Sequence, residues 1–164
     1  MLIRFLAMAA ISLWLSVAGA ASDPIIPAPP QLAASAYLLM DARTGKILVD
    51  HNSGQRLPPA SLTKIMTSYV SAFELQKGTI SLSDEVPISV KAWRMKGSLM
   101  FIQEGTKVRL EDILRGIIIQ SGNDASVAIA EHIAGSEDSF ADLMNQHALR
   151  LGMFDTNFVN STGW

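Results

Sequence analysis

The sequence predicts a mixed α+β domain, and two changes of pattern along the chain carry that prediction. Ala36 to Met40 and Lys46 to Val49 are short apolar segments separated by Asp41-Ala42-Arg43-Thr44-Gly45, a polar, glycine-ended run that reads as the turn of a β-hairpin. Downstream the apolar residues recur every three or four positions instead, in stripes that begin at Leu62, Leu110, Asn123 and Ser136, the spacing of one buried helix face. Neither region contains an internal repeat.

Taken in order, the chain begins with a leader. Arg4 precedes an uncharged run from Phe5 to Ser22 that ends in Ala18-Gly19-Ala20, the layout of a secretory signal peptide over residues 1–20, cut after Ala20. About 20 apolar residues can also span a bilayer, but Ser12, Ser16, Gly19 and the small-residue ending favour cleavage. Residues 21–34 hold Pro24, Pro27, Pro29 and Pro30 and read as an extended linker. Residues 35–164 carry the folded part, long enough for one modest core. With 15 Asp+Glu against 13 Lys+Arg and no basic block, the composition excludes a nucleic-acid partner. The chain has no cysteine, so an exported fold would owe nothing to disulfides.

Leu62, Ile65, Met66, Tyr69, Val70 and Phe73 predict a helix that opens after Pro58-Pro59-Ala60 and stops at Lys77-Gly78. Three positions apart near its start, Ser61 and Lys64 share one face. Lys64 is the only charge between Leu57 and Glu74, where a wet helix surface would carry several, so it is expected to be enclosed. An enclosed amine loses hydration, and its pKa falls from the free value of about 10.4. A neutral amine beside a hydroxyl can take its proton and make Ser61 a nucleophile, with the helix N-terminus favouring negative charge. The plainer alternative is that Ser61 is only a helix N-cap.

Thr79 to Ser89 reads as irregular or edge strand around Pro87, Lys91 to Gln103 has no clear period, and Glu104-Gly105-Thr106 reads as a turn. The helix from Leu110 is nearly all apolar by its end at Ile117 and Ile118, which predicts an internal position. It breaks at Gln120-Ser121-Gly122-Asn123, after which Asn123 or Asp124 is expected to cap the next helix through Ala134 and Gly135. The last helix starts at Ser136 and carries Phe140, Leu143, Met144, Ala148 and Leu151. Ser121-Gly122-Asn123 is a polar triplet between apolar helices, and it reads either as a simple turn or as part of a site.

Ser-x-x-Lys at a helix start, followed by Ser-x-Asn in a loop, is the motif order of penicillin-recognising serine enzymes. Pro59-Ala60-Ser61-Leu62-Thr63-Lys64, Lys96-Gly97-Ser98-Leu99-Met100-Phe101 and Gln120-Ser121-Gly122-Asn123-Asp124-Ala125 together resemble the low-molecular-mass D-alanyl-D-alanine carboxypeptidases, a penicillin-binding-protein family. The likeness runs from about Ala36 onward. It implies a β-lactamase/DD-peptidase-like fold, an antiparallel sheet flanked by helices with a helical subdomain, of which this chain would hold the N-terminal part. It further implies Ser61 as acylated nucleophile, Lys64 as general base, Ser121 as proton relay to the leaving amine and Asn123 as ligand of a substrate carbonyl. The Ser61 N–H would supply half of an oxyanion hole. The implied reaction removes the terminal D-alanine of a peptidoglycan stem peptide in the bacterial periplasm, at the outer face of the inner membrane. No metal or cofactor is involved, and β-lactams act as covalent inhibitors. Membrane association would come only from a C-terminal part beyond Trp164.

The family's Lys-Thr-Gly motif is not among these residues. Arg43-Thr44-Gly45 precedes Ser61, the wrong order, and Ser161-Thr162-Gly163 follows Ser121 too soon and lacks the cation. Three alternatives remain at the level of sequence: a D,D-endopeptidase, a β-lactamase, or a non-catalytic peptidoglycan- or penicillin-binding module. The β-lactamase is disfavoured because no glutamate follows Glu137. His51, His132 and His147 show no metal-binding spacing and read as core or surface histidines.

Overall fold

A computed structural model describes residues 27–164; the signal peptide expected over residues 1–20 and the first residues of the expected linker lie outside them. The chain divides into two units at Gln55/Arg56. In the first, β1 (Tyr37–Met40) pairs antiparallel with β2 (Ile47–His51), with a register shift between Leu39 and Met40. Asp41 closes the predicted turn: its Oδ1 accepts the Thr44 N–H and hydroxyl, both at 2.7 Å, and Gly45 supplies φ 71°. Leu38, Leu39, Ile47 and Leu48 are about half exposed on this ladder.

The second unit is arranged around one helix. In order it contains α1 (Thr63–Lys77), β3 (Glu85–Pro87), the single turn α2 (Val90–Trp93), β4 (Lys107–Arg109), α3 (Leu110–Gln120), α4 (Asn123–Ala134) and α5 (Glu137–Arg150). β3 and β4 form a second antiparallel ladder, with Val86 opposite Val108. Every residue of α4 from Asn123 to Ala130 is buried, because α1, α2, α3, α5 and β3 all pack on it. Small side chains at Ala125, Ala128 and Ala130 let that many neighbours approach a single helix. One side of α4 joins Val86, Ile88, Leu110, Ile113 and Ile117; the other meets Met66, Val70, Phe140 and Met144. Each such aliphatic side chain, fully buried, contributes roughly 1.5–3 kcal/mol.

Helix ends follow local chemistry. Gly78 ends α1 in left-handed conformation, as the sequence predicts, and Gly135 does the same for α4. Ser136 caps α5 by accepting the Ser139 N–H at 3.1 Å. Three expectations are corrected. α4 is capped by Gly122, and Asn123 and Asp124 lie inside its first turn. The end of α3 is not internal: Ile118 and Ile119 are exposed, because each residue turns the side chain about 100° and only Leu110, Ile113, Gly116 and Ile117 face the core. Leu62, just ahead of α1, and Ile65 on it face outward and Tyr69 is partly exposed, while Lys64, Met66, Thr67, Val70, Ser71 and Glu74 are buried.

Candidate active site

The entry to α1 is bent by its sequence. Pro58 and Pro59 lack N–H donors, and Ala60 then takes φ 47°, a left-handed conformation that costs an alanine about 1–2 kcal/mol. Ala60–Leu62 form one 3₁₀ turn ahead of α1. Strain of this kind persists where surrounding contacts fix it. Here Gly163, itself at φ 77°, lies directly against the Ala60 carbonyl, where no side chain could fit.

The turn leaves Ser61 exposed and puts Lys64 beneath it, 4% exposed, with Nζ 3.1 Å from Ser61 Oγ. Burial pushes the Lys64 amine below its ordinary pKa. Its second hydrogen-bond partner is neutral as well, the Thr162 carbonyl at 2.9 Å. A neutral amine that donates one N–H to Thr162 has its lone pair available for the Ser61 hydroxyl, the geometry of a base on a nucleophile.

Thr162 was not legible as a partner of Lys64. The Ser161-Thr162-Gly163 stretch, set aside on sequence, in fact forms the floor of the site. Asn160 Oδ1 accepts the N–H groups of Thr162 and Gly163 at 3.1 and 2.7 Å and folds the segment into a turn. Thr67 Oγ1 on α1 donates to the Ser161 carbonyl at 2.7 Å. Ser161 in turn donates to Glu137 Oε1 through its hydroxyl at 2.7 Å and its N–H at 3.1 Å. A signal for this existed: Asn160-Ser161-Thr162-Gly163 is dense in turn formers, and Glu137 is acidic at a helix start.

Ser121 ends α3 at φ 55° and is half-buried. Among the described residues its hydroxyl makes no hydrogen bond to Ser61 or Lys64. Asn123 is 3% exposed; its Nδ2 donates to the Lys96 carbonyl at 2.6 Å and its N–H to the Ser98 carbonyl at 2.7 Å. One amide hydrogen and the side-chain carbonyl of Asn123 stay available for a ligand. Gly97, between those two carbonyls, has φ 87°, and a Cβ there would stand 2.9 Å from Asn123 Nδ2 and 3.1 Å from the Trp164 ring. The Lys96–Ser98 loop therefore touches both Asn123 and the end of the 160–164 segment that seats Lys64. The structure brings Ser61 and Lys64 into direct contact, and it places Ser121 and Asn123 on one turn between helices that both pack on α1.

A family profile described as D-alanyl-D-alanine carboxypeptidase matches residues 23–164. The D-alanyl-D-alanine carboxypeptidase DacC of Escherichia coli is 44% identical over 140 residues, covering 82% of this chain and 35% of that protein. DacF of Bacillus subtilis, of the same name, is 47% identical over 130 residues, covering 79% of this chain and 33% of its own length. Penicillin binding protein 5 from Haemophilus influenzae superposes with a TM-score of 0.80 at 44% identity, over 85% of this chain and 41% of that one. The chain thus spans about a third of the length of the curated relatives it matches, and its mixed helices and small antiparallel ladders are part of the DD-peptidase fold. With the profile covering all the described residues and the Ser61–Lys64 pair in place, the chain belongs to the D-alanyl-D-alanine carboxypeptidase family.

Proposed function

We propose that the protein containing this chain is a serine-type D-alanyl-D-alanine carboxypeptidase that trims peptidoglycan stem peptides through an acyl-enzyme on Ser61. The observation that carries this reading is the exposed Ser61 hydroxyl 3.1 Å from a buried Lys64 amine whose pKa is lowered by desolvation. Lys64 takes the hydroxyl proton as Ser61 Oγ attacks the carbonyl of the D-alanyl-D-alanine bond. Ser121 passes a proton to the departing amine, and Asn123 holds a substrate carbonyl with its remaining amide hydrogen. The N–H of Ser61 stabilises the developing oxyanion, a type of contact whose loss typically costs about 10²–10³ in rate. Water then releases the shortened peptide and restores Ser61. A β-lactam presents a strained amide to the same hydroxyl and is held as an ester. Export through the 1–20 leader would bring the enzyme to the periplasmic wall.

The deciding experiment is intact-mass spectrometry of the full-length protein after incubation with benzylpenicillin. One adduct is expected, mapped to the peptide carrying Ser61 and absent from Ser61→Ala. An unmodified protein, or an adduct that survives Ser61→Ala, would overturn the reading. Release of D-alanine from a pentapeptide, compared with cleavage of a cross-linked dimer, then separates carboxypeptidase from endopeptidase.

A further inference from the structure

The 160–163 turn is hydrogen-bonded to Lys64 through the Thr162 main-chain carbonyl, so whatever fixes that turn also helps to fix the amine. We propose that Glu137 is a positioning residue for Lys64: its carboxylate clamps Ser161, and the clamped turn aims the Thr162 carbonyl at Nζ. The inference rests on reading Lys64 as the general base.

Glu137 lies at the start of α5, 7% exposed. Its two oxygens have separate tasks. Oε1 accepts both Ser161 donors, at 2.7 and 3.1 Å, and Oε2 faces Lys91 Nζ of α2 at 2.9 Å. Burial pushes this carboxyl up, but Lys91 and the Ser161 bonds outweigh it and hold the pKa below the ordinary value, so Glu137 is an anion at neutral pH. Ser161 is fully buried, and Glu137 is the acceptor for both its hydroxyl and its N–H. Without Glu137 those donors lose their partner, and the turn must shift or admit water. The Ser161 carbonyl is tied to Thr67 and the next carbonyl, Thr162, to Lys64, so a shift of the turn is felt at Nζ.

The charged groups involved are few. Lys91 faces Glu137 from α2, with Asp138 and Glu131 near Lys91. Burial is what lowers Lys64, so water admitted with a loosened turn would move its titration upward.

The test uses the full-length protein with Glu137→Ala, Glu137→Gln and Lys91→Met, and two readouts. The first is the pH dependence of acylation by benzylpenicillin. The second is the NMR titration of Lys64 in protein carrying ¹³Cε-labelled lysine, which does not need catalysis. Glu137→Ala is expected to slow acylation at neutral pH about 10- to 100-fold, the cost of misplacing a reacting group by up to about an ångström. It should also move both the acid limb and the Lys64 titration to higher pH. Glu137→Gln keeps an acceptor for Ser161 and should show a smaller loss in the same direction. Wild-type values of both readouts in Glu137→Ala, or slower acylation with the pH profile and the Lys64 titration unmoved, would overturn the proposal in favour of a merely structural role. If Glu137→Ala does not fold, Glu137→Gln and Lys91→Met decide by the same criteria. If the wild-type protein is not acylated at all, the functional reading fails, and the Lys64 titration alone still tells whether Glu137 governs the amine.

Discussion

Asp124 holds Phe101 in a left-handed backbone: Oδ2 accepts the Phe101 N–H at 2.9 Å, and Phe101 has φ 64° while its ring stands exposed. The same carboxylate also accepts the N–H of Met100 and Ala125 through Oδ1, and more weakly that of Ile102 through Oδ2. Both oxygens thus face donors, and an amide NH₂ fits at neither. Asp124→Asn is therefore expected to destabilise nearly as much as Asp124→Ala, each by about 3 kcal/mol. Urea unfolding of the two variants checks this. An Asn variant close to wild type would show that one oxygen suffices.

Acylation should follow the ionisation of Lys64. Burial lowers its pKa, and on the proposed mechanism the neutral form is the active one, so the rate is expected to rise with pH and reach its plateau below the free-amine value of about 10.4. Lys64→Met should abolish this limb and lower acylation by at least about 10²-fold. Stopped-flow acylation across pH measures both effects.

Gly163→Ala should unfold the floor of the site. Its Cβ would collide with the Ala60 backbone and stand 2.7 Å from Thr63 Oγ1, at φ 77°. Gly152 has nearly the same φ, 78°, with open space around it. Gly152→Ala is expected to cost about 1 kcal/mol for conformation alone, and Gly163→Ala about 2–4 kcal/mol together with loss of acylation. Thermal unfolding of the pair separates the steric part from the backbone part.

His147 makes stability depend on pH. It is 2% exposed, Nε2 has no hydrogen-bond partner among the described residues, and the ring packs edge-on against Phe73 at 4.7 Å and Tyr69 at 5.6 Å. Burial lowers its pKa; Arg150 and Lys77 act in the same sense and Glu74 opposes them. The unfolded chain therefore binds a proton near pH 6.5 that the folded protein takes up only at lower pH. This contribution is fully present above about pH 6.5 and is lost as pH falls toward the folded value, at up to about 1.4 kcal/mol per pH unit. His147→Phe should remove that slope between pH 7.5 and 5.5 in urea midpoints.

The sequence showed the elements far better than their faces. The hairpin turn, the glycine stop after α1 and the Ser136 cap are local chemistry, decided within a few residues, and all were legible. β4 was not, because three residues carry no period. The orientation of α1 was misjudged because apolar spacing alone assigns the buried face, whereas here polar side chains are satisfied inside by distant partners. Thr67 bonds Ser161 and Lys64 bonds Thr162, across nearly a hundred residues. The adjacency of Ser61 and Lys64 was readable from helix geometry. The carbonyl on the far side of the amine was not, since nothing local to Thr162 marks what it will meet.

That long reach ties chemical reactivity to the completion of folding. In a chain still emerging, or held unfolded, residue 64 is an ordinary hydrated ammonium with no appetite for protons, and the hydroxyl three places earlier is as inert as any surface serine. Only when the segment from Asn160 packs beneath the helix start does Lys64 gain the Thr162 carbonyl as a partner. On the proposed mechanism the nucleophile is therefore a property of the finished fold and not of its local sequence.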